Sequence, residues 1–187
     1  MTFAERYKDY TGEVYQTFFD CYNEGLTSLK GAPIKVMAWF KCIDNELTDL
    51  AYAPQTVLGT FYCSRNKLKT LKGGPQEVNG DYVCANNKLT DLEGSPRKVV
   101  GDFNASFNNL KSLKGAPNEI GGFFTCEGNP KLKNVRDEII NNNIRAVIYN
   151  TDEGNFTYDD FKDHFHKKDM GNRVTRPSMR KLLGLDK

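Results

Sequence analysis

Apolar and polar positions follow a pattern that repeats every 21 residues through most of the chain. Two leucine columns keep this spacing, and so do columns of proline, aliphatic, aromatic and asparagine residues. These columns are Leu26, Leu47, Leu68, Leu89 and Leu110; Leu29, Leu50, Leu71, Leu92 and Leu113; Pro33, Pro54, Pro75, Pro96 and Pro117; Val36, Val57, Val78, Val99 and Ile120; Phe40, Phe61, Tyr82, Phe103 and Phe124; and Asn45, Asn66, Asn87, Asn108 and Asn129. A fixed period of this size predicts a solenoid, in which each coil buries its apolar edge against its neighbours.

One stretch of each coil alternates with period two, which predicts a short β-strand. Around Phe61, we expect Phe61 and Cys63 to point into the coil, while Thr60, Tyr62 and Ser64 point outward. Stacked about 4.8 Å apart, such strands would form one parallel sheet along one side of the solenoid. The glycine before each strand would permit the bend into it. The Gly-x-Pro segment would form an extended or irregular opposite wall, because proline excludes regular strand pairing.

The asparagine column predicts a structural role. A buried asparagine at a turn can bond the backbone of its own coil and of the next one, and so satisfy groups that no strand ladder reaches.

The five cysteines share one phase of the repeat, and Ala105 fills the position that lacks one. A disulfide framework or a zinc site would use irregular, paired spacings, so the pattern favours small inward-facing apolar side chains. Disulfides, or a metal or redox site on the ladder of Cys42, Cys63 and Cys84, are the alternatives. An odd number of buried thiols suits a reducing compartment.

The repeat unit resembles a leucine-rich repeat, with F-x-C-x-x-N-x-L where that family has L-x-L-x-x-N-x-L. The runs NNKLTDLEGSP (86–96) and GNPKL (128–132) make it most similar to the short repeats of bacteria and tailed phages. The resemblance covers residues 18–134. It implies an α/β-type, mostly β solenoid, coiled right-handed, with parallel strands on a concave face that binds proteins. It implies no chemistry.

Three segments follow from these patterns. Residues 1–17 are expected to form a helical cap, because Thr2 and Glu5 make a capping box and Phe3, Tyr7 and Tyr10 share one helical face. Residues 18–134 form the solenoid of five to six coils. Residues 135–187 are expected to form a C-terminal cap and a basic helical tail, with a short helix over 135–142, a strand or apolar layer over 144–149 and a second helix from Thr157.

The net charge of +2 gives no overall argument for nucleic acid or a membrane. The N-terminus has no apolar run that resembles a signal peptide, and no stretch approaches the length of a membrane span. We therefore expect a protein of the bacterial or host-cell cytoplasm with no membrane partner. The alternative is export by a route that leaves no cleavable signal.

The outward positions predict a partner-binding face, aromatic in its N-terminal half and small and acidic in its C-terminal half. Exposed Trp and Tyr are frequent binding hot spots. The alternative for Trp39 is packing with Phe18 under the N-terminal cap. The candidate contacts are Trp39, Lys41, Tyr62, Ser64, Arg65, Asp81, Asp102 and Phe123.

No catalytic motif is present, and we expect neither an enzyme nor a cofactor. The sequence favours a non-catalytic module that binds a bacterial or host protein as an inhibitor or modulator. The alternative is a nucleic-acid-associated factor that acts through a lysine edge and a basic tail. The lysine edge comprises Lys67, Lys69, Lys72, Lys88, Lys111, Lys114, Lys131 and Lys133, and the tail contacts would be Lys167, Lys168, Arg173, Arg176, Arg180 and Lys181.

Overall fold

The computed structural model describes residues 1–151 and 154–156, which form a mostly β parallel solenoid of about five turns. Each coil contributes two strands of two residues, and each series of strands pairs in parallel from coil to coil. We call the first series the valine ladder; it contains β1 (Val14–Tyr15), β3 (Lys35–Val36), β5 (Thr56–Val57), β7 (Glu77–Val78) and β9 (Lys98–Val99). The second, the aromatic ladder, contains β2 (Phe19–Asp20), β4 (Phe40–Lys41), β6 (Phe61–Tyr62), β8 (Tyr82–Val83) and β10 (Phe103–Asn104).

The aromatic ladder confirms the strand predicted from the alternating pattern. The Gly-x-Pro segments carry no strand, as expected, but a second ladder that was not predicted begins two residues after each proline. This second ladder is the valine ladder, with Val36 paired to Val57 and Val57 to Val78. Pairing is possible because each strand begins after its proline, so the missing proline N–H falls outside the ladder. The longer strand β11 (Glu119–Thr125) belongs to both ladders and joins them into one sheet.

The core is one continuous cluster of apolar side chains that runs through all the coils. Successive rings of the aromatic column lie 5.9 Å (Phe40–Phe61), 5.2 Å (Phe61–Tyr82), 5.3 Å (Tyr82–Phe103) and 5.7 Å (Phe103–Phe124) apart between centroids. Burying such a side chain contributes about 1.5–3 kcal/mol. Both leucine columns and all five cysteines are also buried, which confirms that they point inward.

The asparagine column ties each coil to the one before it. The Asn87 Oδ1 accepts the Leu68 N–H at 3.1 Å, and Nδ2 lies 3.0 Å from both Cys63 O and Cys84 O. The other four asparagines of the column make the same set of bonds. The structural role is confirmed, except that the neighbour is the preceding coil rather than the next one.

The glycines before the aromatic ladder serve close packing rather than a bend. Gly59, Gly80, Gly101 and Gly122 have no positive φ. A Cβ at Gly80 would lie 2.6 Å from Thr60 N and 2.7 Å from the Gly59 carbonyl carbon. The backbone of one coil therefore rests directly on that of the preceding coil, which leaves no room for a side chain.

At the N-terminus, helix α1 (Phe3–Arg6) begins with the predicted capping box between Thr2 and Glu5. The buried Phe3 ring lies 4.9 Å from that of Phe19, so the segment covers the first coil. The helix is only one turn long, and Tyr7 and Tyr10 pack against the core from beyond its end. The valine ladder already begins at Val14, within residues 1–17.

At the other end, helix α2 (Val135–Asn141) and strand β12 (Arg145–Thr151) confirm the expected helix and strand. Strand β12 adds to β11 in parallel, and β13 (Gly154–Phe156) pairs with β12 in the antiparallel direction. The helix predicted from Thr157 and the basic tail lie outside the described residues. None of the helices in residues 1–151 has the length and apolar character needed to cross a membrane.

The carboxylate of Glu138, in α2, terminates the series of hydrogen bonds that links the second leucine column to the following coils. The N–H groups of Leu71 and Leu92 donate to carbonyl oxygens of the following coil, at Glu93 and Lys114. At Leu113 the Glu138 Oε2 accepts this bond instead, at 2.7 Å. Helix α2 thus replaces the missing next coil with a side chain.

We expect Asn87→Ala to lower the free energy of unfolding by about 3 kcal/mol, because buried backbone groups lose their partners at about 1–3 kcal/mol each. Urea denaturation followed by far-UV circular dichroism measures the change. The matched control is Asn79→Ala in the same coil. Asn79 is exposed, so this change should stay within about 0.5 kcal/mol. Equal effects of the two changes would contradict the structural role of Asn87.

We also expect Gly80→Ala to cost about 3 kcal/mol, at the upper end for overpacking, because the obstructing atoms belong to the backbone. Thermal and urea unfolding give the value. The control is Gly12→Ala, where φ is +79° and no atom lies within 4 Å of the added Cβ, so that only about 1 kcal/mol of backbone strain is introduced. The packing interpretation fails if the two changes cost the same.

Candidate functional site

The candidate site is the outward side of the aromatic ladder, which we call the outer face. Two columns of side chains flank the buried aromatic column there, and all of them are exposed or half-buried. Because the strands pair in register, residues 21 apart lie side by side, as with Lys41 and Tyr62. The columns are Phe18, Trp39, Thr60, Asp81, Asp102 and Phe123, and Asp20, Lys41, Tyr62, Val83, Asn104 and Thr125.

A third column was expected to point outward, but three of its six members are buried and only Tyr22 is exposed; it comprises Tyr22, Ile43, Ser64, Ala85, Ser106 and Glu127. Ser64 is only 8% exposed, and its hydroxyl donates to Val83 O at 3.3 Å. Ala85 and Ser106 are buried in the same way. The strand ends after two residues, and the chain turns through a positive φ at Arg65 toward the buried Asn66. The prediction that Ser64 is an outward partner contact is therefore wrong.

The N-terminal half of the outer face carries Phe18, Trp39 and Tyr62, and the exposed Tyr22 of the third column borders them. We call these four residues the aromatic patch. The rings of Phe18 and Trp39 stack 4.4 Å apart at an interplanar angle of 10°, and Phe18 remains 52% exposed. The aromatic contacts of the cap are made to Phe19 and Phe40, on the inner side of the ladder. The alternative prediction, that Trp39 packs with Phe18, is correct about the partner. The contact lies on the outer face, however, and not beneath the N-terminal cap.

Polar groups border the aromatic patch. The Lys41 Nζ lies 3.3 Å from Asp20 Oδ2 and 4.8 Å from the centroid of the Tyr22 ring. Arg65 lies at the turn after the strand, 3.9 Å from Asp44 between Nη1 and Oδ2. An exposed ion pair of this kind contributes at most about 1 kcal/mol. The guanidinium of Arg65 can therefore exchange this contact for one with a partner.

The C-terminal half of the outer face holds a groove of about 490 Å³. We call it the acidic groove; it is lined by Asp81, Val83, Asp102, Asn104, Phe123 and Thr125. The sequence singled out Asp81, Asp102 and Phe123. The alternating pattern also places Val83, Asn104 and Thr125 on this face, but they were not among the candidate contacts. The signal that could have identified them is their 21-residue spacing from Tyr62.

Each carboxylate of the acidic groove has one oxygen engaged by the backbone. The Asp81 Oδ1 accepts the Asp102 N–H at 2.9 Å, and the Asp102 Oδ1 accepts the Phe123 N–H at 2.8 Å. In the preceding coil the Thr60 hydroxyl oxygen does the same for the Asp81 N–H at 3.2 Å. Within residues 1–151, neither carboxylate forms an ion pair. Both therefore stay available to a cation.

The lysine edge is partly neutralised. Lys67 is paired with Glu46, while Lys72 and Lys114 lie 3.1 and 2.6 Å from the two oxygens of Glu93. Hydrogen bonds and charge from these two lysines lower the pKa of Glu93 to about 2. The six tail residues Lys167, Lys168, Arg173, Arg176, Arg180 and Lys181 lie outside the described residues.

The described residues bring together no group of three His, Cys, Asp or Glu side chains that could hold a metal ion. Burial raises the pKa of Cys21, Cys42, Cys63 and Cys84, which keeps these thiols protonated. The thiolate is the form of cysteine that acts as a nucleophile and binds metals. We therefore expect these four thiols to be unreactive in the folded protein.

We expect none of the five cysteines to react with a thiol reagent such as DTNB in the folded protein, because all five are buried and four have raised pKa values. The absorbance of released thionitrobenzoate measures the reaction, and five equivalents should appear in guanidinium chloride. The variant Lys69→Cys, with one exposed thiol, is the positive control. Rapid reaction of a native cysteine in the folded protein would contradict the conclusion that the cysteine column is unreactive.

Comparison of the chain with protein-family models, with curated proteins and with solved structures finds no match.

Proposed function

We propose that this protein is a non-catalytic, protein-binding solenoid of the leucine-rich-repeat type, coiled right-handed, with the outer face as its concave binding side. The observation that carries the proposal is the stack of the exposed Phe18 on the half-buried Trp39 at one end of that face. A partner would cover the aromatic patch.

Aromatic side chains offer large apolar areas and lose little conformational entropy on binding. Stacking already restricts Trp39 and Phe18, so their ordering adds little to the cost of association. Lys41 and Asp20 border the rings with a polar rim, an arrangement typical of protein interfaces. These features support a hot spot at the aromatic patch.

A module of this kind acts by occupying a surface of its partner. We accordingly propose a role as an inhibitor or modulator of a bacterial or host protein. The resemblance to repeats of bacteria and tailed phages supports a partner in the bacterial or host-cell cytoplasm. The paired state of Lys67, Lys72 and Lys114 favours a protein partner over nucleic acid.

The test is affinity capture from bacterial lysate with the tagged chain, with and without nuclease, followed by calorimetry with the purified partner. We expect Trp39→Ala/Tyr62→Ala to weaken binding by at least about 2 kcal/mol, or about 30-fold in Kd, because two hot-spot rings are removed. Far-UV circular dichroism verifies that the variant is folded.

The control is Tyr52→Gly, which removes an aromatic ring that is 61% exposed and lies outside the outer face. Tyr52 has a φ of +69° in a column otherwise occupied by glycine, so glycine fits there without strain. Affinity should be unchanged in this variant. A partner that binds the Trp39→Ala/Tyr62→Ala variant equally well would refute the assignment of the face, and capture that nuclease abolishes would favour the nucleic-acid alternative.

A further inference from the structure

The acidic groove differs from the rest of the outer face in the balance of its charges. On the same face, Asp20 meets Lys41 from the next coil at 3.3 Å. No cation lies beside Asp81 and Asp102 in the same way, since Asp102 and Phe123 follow them in their own column. The neighbouring column holds Val83, Asn104 and Thr125 in these coils, which are also uncharged. Two carboxylates thus lie directly before the paired strands β8 and β10 without a counter-charge in residues 1–151, and each of them favours a cation nearby.

The walls of the acidic groove suit a lysine or arginine side chain. Val83 and the 48% exposed Phe123 supply apolar surface for the aliphatic part of such a side chain. The Phe123 ring also attracts a cation to its face. The free carboxylate oxygens supply charge-assisted acceptors for its head group.

The described chain ends close to this groove. Strand β12 pairs Val147 with Phe123 and Tyr149 with Thr125, and β13 places Phe156 opposite Ile148. Two strand spacings of about 4.8 Å put Phe156 about 10 Å from β11. The segment 157–166 can span about 33 Å when extended, so the residues that follow it are within reach of Asp81 and Asp102.

The residues that follow carry the complementary charge. Between 167 and 187 the sequence has seven basic residues against two acidic ones, Asp169 and Asp186. Apolar residues stand among the basic ones, with Met179 before Arg180 and Leu182 and Leu183 after Lys181. This segment therefore offers both kinds of group that the acidic groove can hold.

We propose that the basic C-terminal segment, residues 167–187, binds in the acidic groove of its own chain, with its cationic side chains on Asp81 and Asp102. The segment would cover the C-terminal half of the outer face and leave the aromatic patch open. A partner that carries a basic stretch next to an apolar one would then compete with the tail. The inference goes beyond the proposed function, because it requires no partner for its test.

Energy transfer within the full chain tests this proposal. Trp39 is the sole tryptophan and lies on the outer face, so it is the donor. The acceptor is a dansyl group attached to the variant Lys187→Cys, where labelling is selective if the five native thiols are inert. We expect efficient transfer at about 0.05 M NaCl and at least a twofold lower efficiency at about 0.5 M, because salt screens the ion pairs.

Asp81→Asn/Asp102→Asn should lower the transfer efficiency by the same factor at low salt. Asparagine keeps an oxygen for the N–H groups of residues 102 and 123, so the exchange removes charge and leaves the fold intact. The matched control is Asp49→Asn/Asp91→Asn. These two carboxylates likewise each accept one backbone N–H, from Ala51 and Glu93, but lie outside the groove, and transfer should be unchanged.

Arg176→Glu/Arg180→Glu should also lower the transfer, and combining it with the groove variant should lower it no further, since both remove the same contact. Additive losses, or unchanged transfer in the groove variant, would overturn the proposal. Unchanged transfer in the groove variant is expected if the tail pairs instead with the acidic residues of 152–163. Transfer that rises with protein concentration would assign the tail to a second copy and would also overturn binding within one chain.

Discussion

The buried asparagine side chains hold each coil in register with the coil before it, and the rest of the structure depends on that register. Two-residue strands are too short to fix their own alignment, and a slip would turn inward groups outward. Asn66 and Asn87 each reach both backbones, so every coil repeats the geometry of its neighbour. Close contact at Gly80 is possible only because this alignment is maintained.

Register is also what creates a surface from residues that are far apart in sequence. Residues separated by 21 positions become neighbours, so Phe18 stacks on Trp39 and Asp81 bonds the backbone of Asp102. One end of the outer face is aromatic and bordered by a paired lysine, and the other is a groove with two carboxylates that lack a counter-charge in residues 1–151. A single face thus offers two chemically different surfaces, suited to an apolar and to a cationic group.

The period of the sequence was sufficient to predict the solenoid, the buried columns and the structural role of the asparagines, because each rests on a residue type that recurs at a fixed place. It did not predict that the asparagines bond the preceding coil. It failed at the valine ladder, since proline suggested an unpaired wall and only the backbone path shows that pairing starts after it. It also failed at Ser64, because period-two alternation was extended one residue beyond the end of the strand.

What the sequence by itself determined is the list of side chains that must be buried, since burial follows from residue type and repeats with the period. The tertiary structure decided which exposed side chains meet and what remains unpaired between them. Trp39 rests on Phe18, and Asp20 finds Lys41, whereas Asp81 and Asp102 find only backbone N–H groups. Such pairings depend on distances of a few ångströms across coils, which no property of a single residue encodes.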